Sequence, residues 1–152
     1  MTSGDWSVID GNLLASQTGV ISFLGEIHRS GDQWDNYTLE MDVNNTSGVD
    51  EGIKVRESVN GDSYVFNLRH GRGEYDTPQI KFWKVQDGVV TLVDSTKKIQ
   101  LENNVWYHLK IEVNNENIRL WINDVLAFDF DDPGTKVKKG GIGLQSWTGD
   151  LG

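Results

Sequence analysis

The 152 residues suffice for one domain with a real core and not comfortably for two. A net charge of −9 argues against nucleic acid, where affinity comes from neutralising phosphates, and against an anionic membrane surface; no apolar run is long enough to span a bilayer. Cysteine is absent, which removes disulfides, thiolate metal sites and cysteine nucleophiles together.

Along the chain, period-two alternation predicts strands, and no segment carries an apolar stripe of helical period. Asp10-Gly11 is a tight-turn pair behind the first strand. Tyr37, Leu39, Met41 and Val43 then alternate with polar residues, followed by Ile53 and Val55. Asn60-Gly61 predicts a hairpin into Tyr64, Phe66 and Leu68; Asp87-Gly88 predicts another, behind Ile80 and Phe82. Tyr107, Leu109, Ile111 and Val113 form the longest alternating run, and Ile118, Leu120 and Ile122 the last clear one, with Asn114-Asn115 and Asn123-Asp124 as turns. Strands joined by local hairpins predict an all-β, two-sheet antiparallel sandwich occupying residues 1–152 as a single domain. Two longer polar connections, 71–78 and 129–140, are where a rigid sandwich would carry binding residues.

Six phrases stand in a familiar order: Trp6-Ser7-Val8-Ile9-Asp10-Gly11-Asn12-Leu13, Trp34-Asp35-Asn36-Tyr37-Thr38-Leu39, Gly52-Ile53-Lys54-Val55-Arg56, Ser63-Tyr64, Trp106-Tyr107-His108-Leu109-Lys110-Ile111 and Gly140-Gly141-Ile142-Gly143-Leu144-Gln145. Together they resemble the concanavalin A-like lectin/glucanase superfamily, nearest to laminin-G-like jelly rolls, family 66 carbohydrate-binding modules and 3-keto-glycoside hydrolase-like domains. The resemblance implies a jelly roll whose concave sheet carries the ligand. Such domains close with one further strand of the type apolar-x-Phe-Asp-Asn-Val, and no such segment follows Trp147 here. That predicts either a module cut from a larger extracellular or cell-surface protein, or an edge open to a strand from a partner or a second copy.

Catalysis finds little support. Glu40 and Asp42 share a strand face as in laminarinase-type glycosidases, but Asn44 and Asn45 stand where the next carboxylate would be. The hydrolase-like domains set an Asn-Ser-Gly-x-x-x-Arg strand beside a Tyr-Glu-x-Gln strand; here only Gly52 and Arg56 match the first, while Val65 and Asn67 replace the acid and the amide. His28, His70 and His108 are scattered, with His70 alone ending a strand beside a long connection. Asp129-Phe130-Asp131-Asp132 has the carboxylate density of a calcium loop without its twelfth-position glutamate, so a structural calcium stays open and no cofactor is required.

A glycan-binding face needs an aromatic ring for the C–H side of a sugar and amides or guanidinium groups for its hydroxyls. Alternation turns Asn67, Arg69 and Trp83 away from the core, and Arg56 with them. The expected site is Arg56, Asn67, Arg69, Trp83, Gln145 and Trp147, with Glu74, Tyr75 and Asp76 added by the connection behind Arg69. Trp6, Trp34 and Trp106 are expected in packing or strand-end anchoring, whereas Trp121 joins Trp83 and Trp147 as a stacking candidate unless its strand belongs to the convex sheet. The reading is a non-catalytic carbohydrate-binding module; the alternatives are a laminin-G-like adhesion or assembly domain and a glycoside-processing enzyme of the same fold.

Overall fold

A computed structural model describes residues 2–16, 25–29, 34–45, 50–70 and 78–147. Twelve strands follow one another: β1 (Thr2–Ile9), β2 (Asn12–Ser16), β3 (Gly25–Arg29), β4 (Tyr37–Asn44), β5 (Asp50–Glu57), β6 (Ser63–Arg69), β7 (Gln79–Gln86), β8 (Val89–Thr96), β9 (Trp106–Asn114), β10 (Asn117–Ile122), β11 (Val125–Asp131) and β12 (Gly141–Trp147). They form an antiparallel jelly-roll sandwich with one sheet in the order β2-β1-β3-β12-β5-β6-β7-β8 and a second in the order β11-β10-β9-β4.

The tight turns follow their residue pairs. Asp10-Gly11, Asp87-Gly88 and Asn123-Asp124 all take positive φ at both positions, the geometry that matches strand twist in a two-residue hairpin. At Asn60-Gly61 only the glycine does so, and the connection widens to Ser58–Asp62, closed by Gly61 N–H to the Ser58 carbonyl at 3.0 Å.

Every alternating apolar set turns into one core. Ile53 and Val55, Tyr64, Phe66 and Leu68, and Ile80 and Phe82 from the large sheet meet Leu109, Ile111, Val113, Ile118, Leu120 and Ile122 from the small one, all buried. Phe66 stacks on Phe82 at 4.6 Å, and Phe130 meets Phe82 edge-on at 5.4 Å, so aromatic rings tie the sheets together. The connection after β11 is anchored from inside. Tyr64 donates its hydroxyl to Asp132 at 2.6 Å and contacts Thr135 at 2.8 Å, while Lys84 pairs with the same carboxylate. Burial, then the Asp132 hydrogen bond, pushes the Tyr64 hydroxyl well above the ordinary phenol range.

Alternation fails at Arg56. Glu57 pairs with Gly141 and Val55 with Ile142, so Arg56 is an extra residue in a β-bulge, with φ of 51°. The extra residue turns its side chain inward, where it is 1% exposed. Its guanidinium donates to the carbonyl of Asp35 from Nε (3.1 Å) and Nη2 (2.9 Å), and to that of Val137 from Nη1 (3.4 Å). Its backbone N–H donates to the Tyr37 hydroxyl at 2.7 Å, which in turn donates to the Gly141 carbonyl at 3.1 Å. Gly140 lies against the bulge so closely that a Cβ there would stand 2.3 Å from the Arg56 carbonyl carbon. Arg56 is therefore a structural clamp and not a ligand contact. Its partners are carbonyl oxygens, not the Glu40 or Asp42 carboxylates.

Replacing Arg56 by methionine keeps the bulk and leaves two carbonyl groups without their charged donor. The expected cost is about 3 kcal/mol, lowering Tm by about 10 °C in thermal unfolding. A drop of under about 2 °C would show that water satisfies those carbonyls instead.

Candidate functional site

The strand registers place four of the remaining predicted residues on one face. Across the large sheet, Gln145 pairs with Gly52, Gly52 with Asn67, and Asn67 with Lys81. The next row runs Gly143, Lys54, Val65 and Trp83, and the row on the other side runs Trp147, Asp50, Arg69 and Gln79. Side chains alternate across a sheet, so Asn67, Arg69, Trp83 and Gln145 all stand on the face turned from the core, within neighbouring rows. Trp147 occupies the end of the Asp50–Arg69 row in register. Glu74, Tyr75 and Asp76 lie outside the described residues.

This face is recessed. On a flat sheet, side chains turned from the core meet water, yet here Ser63 is 0%, Asp50 6% and Val65 8% exposed. Asn67, Arg69, Lys81, Trp83 and Gln145 are each only half-buried. The result is a partly covered strip of sheet, termed the groove below, with polar side chains and one indole. Lys81 Nζ lies 5.8 Å from the Trp83 ring centre, holding a cation beside the indole.

The bulge also shapes that floor. Past Arg56 the alternation is shifted by one, so Glu57 returns to the side of Lys54 and pairs with it at 3.0 Å. The pair lies across Gly143, where a Cβ would stand 2.5 Å from Glu57 Oε2 and 3.2 Å from Lys54 Cδ. Asp50, Lys81 and the Lys54–Glu57 pair were not foreseen as floor residues. Outward alternation was the signal for Lys54 and Lys81, but the phase reversal that brings Glu57 in has no mark in the sequence.

Other candidates lie elsewhere. His70 is buried on the core side of β6, with Nε2 3.5 Å from Glu51 Oε2 and no hydrogen bond from either ring nitrogen. The aspartates of 129–132 do not converge: Asp129 and Asp131 accept hydrogen bonds from Asn117, whereas Asp132 turns inward to Tyr64 and Lys84. Among the described residues no three His, Asp or Glu side chains are grouped to hold a metal. Trp121 stands on the outer face of the small sheet, with Lys110 Nζ 5.4 Å from its ring centre. Trp34 and Trp106, expected in packing or strand-end anchoring, are 42% and 55% exposed, just ahead of β4 and at the start of β9.

Residues 1–151 match the model of the family described as the 3-keto-alpha-glucoside-1,2-lyase-like domain. The chain belongs to that family. No curated protein matches it significantly. In the solved structures, the carbohydrate binding module CBM66 from Bacillus subtilis aligns with a TM-score of 0.74 at 22% identity, covering 97% of this chain and 86% of that one. Toad ovary galectin, solved with thio-digalactose, aligns at 0.62 and 9% identity over 80% of this chain and 94% of its own. Sheep galectin-11 aligns at 0.60 and 13% identity over 80% and 89%. At these identities the likeness is one of fold. Val65, 8% exposed, pairs with Lys54 on one side and with Trp83 on the other, in the middle of this face.

The Glu40–Asp42 strand faces the other way, on the outside of the small sheet. Asp42 pairs in register with His108, and their Oδ1 and Nδ1 atoms are 2.8 Å apart, with Glu40 3.6 Å from Nε2. The hydrogen bond to Asp42, reinforced by the charges of Asp42, Glu40 and Asp124, raises the His108 pKa above its ordinary value. A raised histidine pKa means that the pair steadies the fold at pH below the unfolded histidine value and loses that contribution as pH rises through the folded one. An NMR titration of His108 is expected to give a midpoint above 6.5 that falls back in Asp42→Asn; an unchanged midpoint would remove Asp42 as the cause.

Proposed function

We propose that this domain binds a neutral glycan without cleaving it, on the recessed outer face of the large sheet. The observation that carries this reading is the groove floor, with Trp83, Asn67, Arg69 and Gln145 on adjoining strands and Val65 where an acid would be needed. An indole covers the C–H side of a sugar, and the amides and guanidinium offer donors and acceptors to its hydroxyls. General-acid chemistry needs a carboxylic acid placed at the scissile oxygen. Of the carboxylates among the described residues of this face, Glu57 is held by Lys54, Asp50 is 6% exposed at the edge of the floor, and Glu26 pairs in register with Gln145 on β3. The jelly-roll likeness to a carbohydrate binding module and to a galectin solved with a digalactoside supports the ligand class. Such a role suits one module of a larger extracellular or cell-surface protein.

Screened on a glycan array and followed by calorimetry, the domain is expected to bind at least one neutral polysaccharide in the micromolar to millimolar range. Trp83→Ala and Asn67→Ala should each weaken it about tenfold or more, roughly 1.4 kcal/mol. Trp121→Ala, on the opposite sheet, should leave it unchanged, and so should a calcium chelator. Release of a reducing end or an unsaturated product from any bound glycan would replace binding with catalysis.

One observation favours assembly as a second reading. In β4, at the edge of the small sheet, Tyr37, Leu39, Met41 and Val43 are only half-buried, whereas the facing β9 and β10 rows are closed. A cavity of about 530 Å³ runs beside this edge between Trp34, Leu39 and Ile142. A second copy adding a strand there would appear in sedimentation as a concentration-dependent dimer; a monomer at every concentration would exclude it.

A further inference from the structure

The start of β9 holds a second concave site, unrelated to the groove. Trp106, the first residue of β9, faces Asn44 in register and is 55% exposed. Beside it lie the Asp42–His108 pair, Asn123 from the β10–β11 turn and Asn12 from the β1–β2 hairpin, around a cavity of about 500 Å³. That volume falls within the roughly 300–1,000 Å³ of small-molecule sites.

The lining is fixed before any ligand arrives. Asn123 Oδ1 accepts the His108 backbone N–H at 2.8 Å, and Asn123 N–H donates to the His108 carbonyl at 2.8 Å. The Asn123 amide is thereby oriented through its oxygen, and its NH2 group makes no hydrogen bond among the described residues. Tyr107, behind Trp106, is held from the core side, its hydroxyl accepting the Glu102 N–H at 2.8 Å. The residues therefore offer an indole face, a carboxylate oxygen, an imidazole and two amides, all opening to solvent on one side.

This set matches one ligand chemistry. Anions are disfavoured, because Glu40, Asp42 and Asp124 surround His108 and Lys110 is the one cation next to it on β9. A simple cation would have to compete with His108 for Asp42. A wholly apolar ligand would leave the carboxylate and amides desolvated without partners. A neutral sugar ring satisfies both halves, C–H groups on the indole and hydroxyls on the polar rim.

We propose that the Trp106 pocket is a second carbohydrate site, taking a single neutral hexose residue with its ring on Trp106 and its hydroxyls on Asp42, His108 and Asn123. It does not depend on the groove reading, and the two can be separated in one spectrum. The whole chain, with ¹⁵N-labelled tryptophan indoles, is titrated in turn with glucose, galactose and fructose to about 100 mM, which reaches millimolar sites. Of the six indole signals, Trp106→Phe assigns that of Trp106 and Trp83→Phe that of Trp83.

At least one of the three sugars is expected to move the Trp106 signal saturably. That response should persist in Trp83→Ala and weaken about tenfold or more in Asp42→Ala, whose fold is checked by circular dichroism. Should Asp42→Ala misfold, His108→Gln carries the same expectation. No saturable movement of Trp106 with any of the three sugars overturns the proposal, and so does a response abolished by Trp83→Ala. A Trp83 response without one at Trp106 would leave the groove standing and refute this site alone.

Discussion

The sandwich depends on a buried cation that has no carboxylate partner among the described residues. Arg56 is enclosed between the sheets and satisfied by the carbonyls of Asp35 and Val137, while its own N–H reaches the Tyr37 hydroxyl and through it Gly141. These contacts join the lead-in to β4, the connection after β11 and the start of β12, three segments far apart in sequence. Arginine suits the position, since its planar fork can serve two carbonyls at once and its charge is weakly hydrated, which lowers the cost of burial. Gly140 is the complementary requirement, because only a residue without a side chain can lie against the bulge.

The same irregularity determines the groove. Had β5 alternated to its end, Arg56 would have stood on the floor as a free cation and Glu57 would have turned into the core. Instead the floor has a Lys54–Glu57 pair laid flat over Gly143, beside an uncharged stretch through Val65 to Trp83. Membership of a family described as lyase-like thus goes together with a groove whose centre is the apolar Val65.

Much of this was legible in the sequence. Alternation identified the core sets from Ile53 to Ile122, and the Asp-Gly and Asn-Asp pairs marked the turns, because both signals are local. The outward phase of Asn67, Arg69 and Trp83 followed from the same period, but that their strands share one sheet with Gln145 did not, because alternation does not say which strands pair. Arg56 was misplaced because a bulge changes the phase by one residue, and the cause lies in distant Gly140 and Gly141, not in β5 itself. Trp34 and Trp106 stand at or just ahead of strand starts, where alternation no longer decides between core and water and exposure depends on which neighbouring segments close over the ring.

The bulge has a further bearing on how this strand can vary. A strand with one residue more than its neighbour contains a reading frame in space, and Arg56 is the inserted letter. Losing one residue at that point would restore simple pairing with β12 while every backbone hydrogen bond of the ladder could still form. The sheet would survive the deletion on paper, yet the two sheets would lose their common anchor. For this fold, an alignment that slides by one position in β5 therefore compares an internal clamp with a surface charge, however well the flanking residues agree.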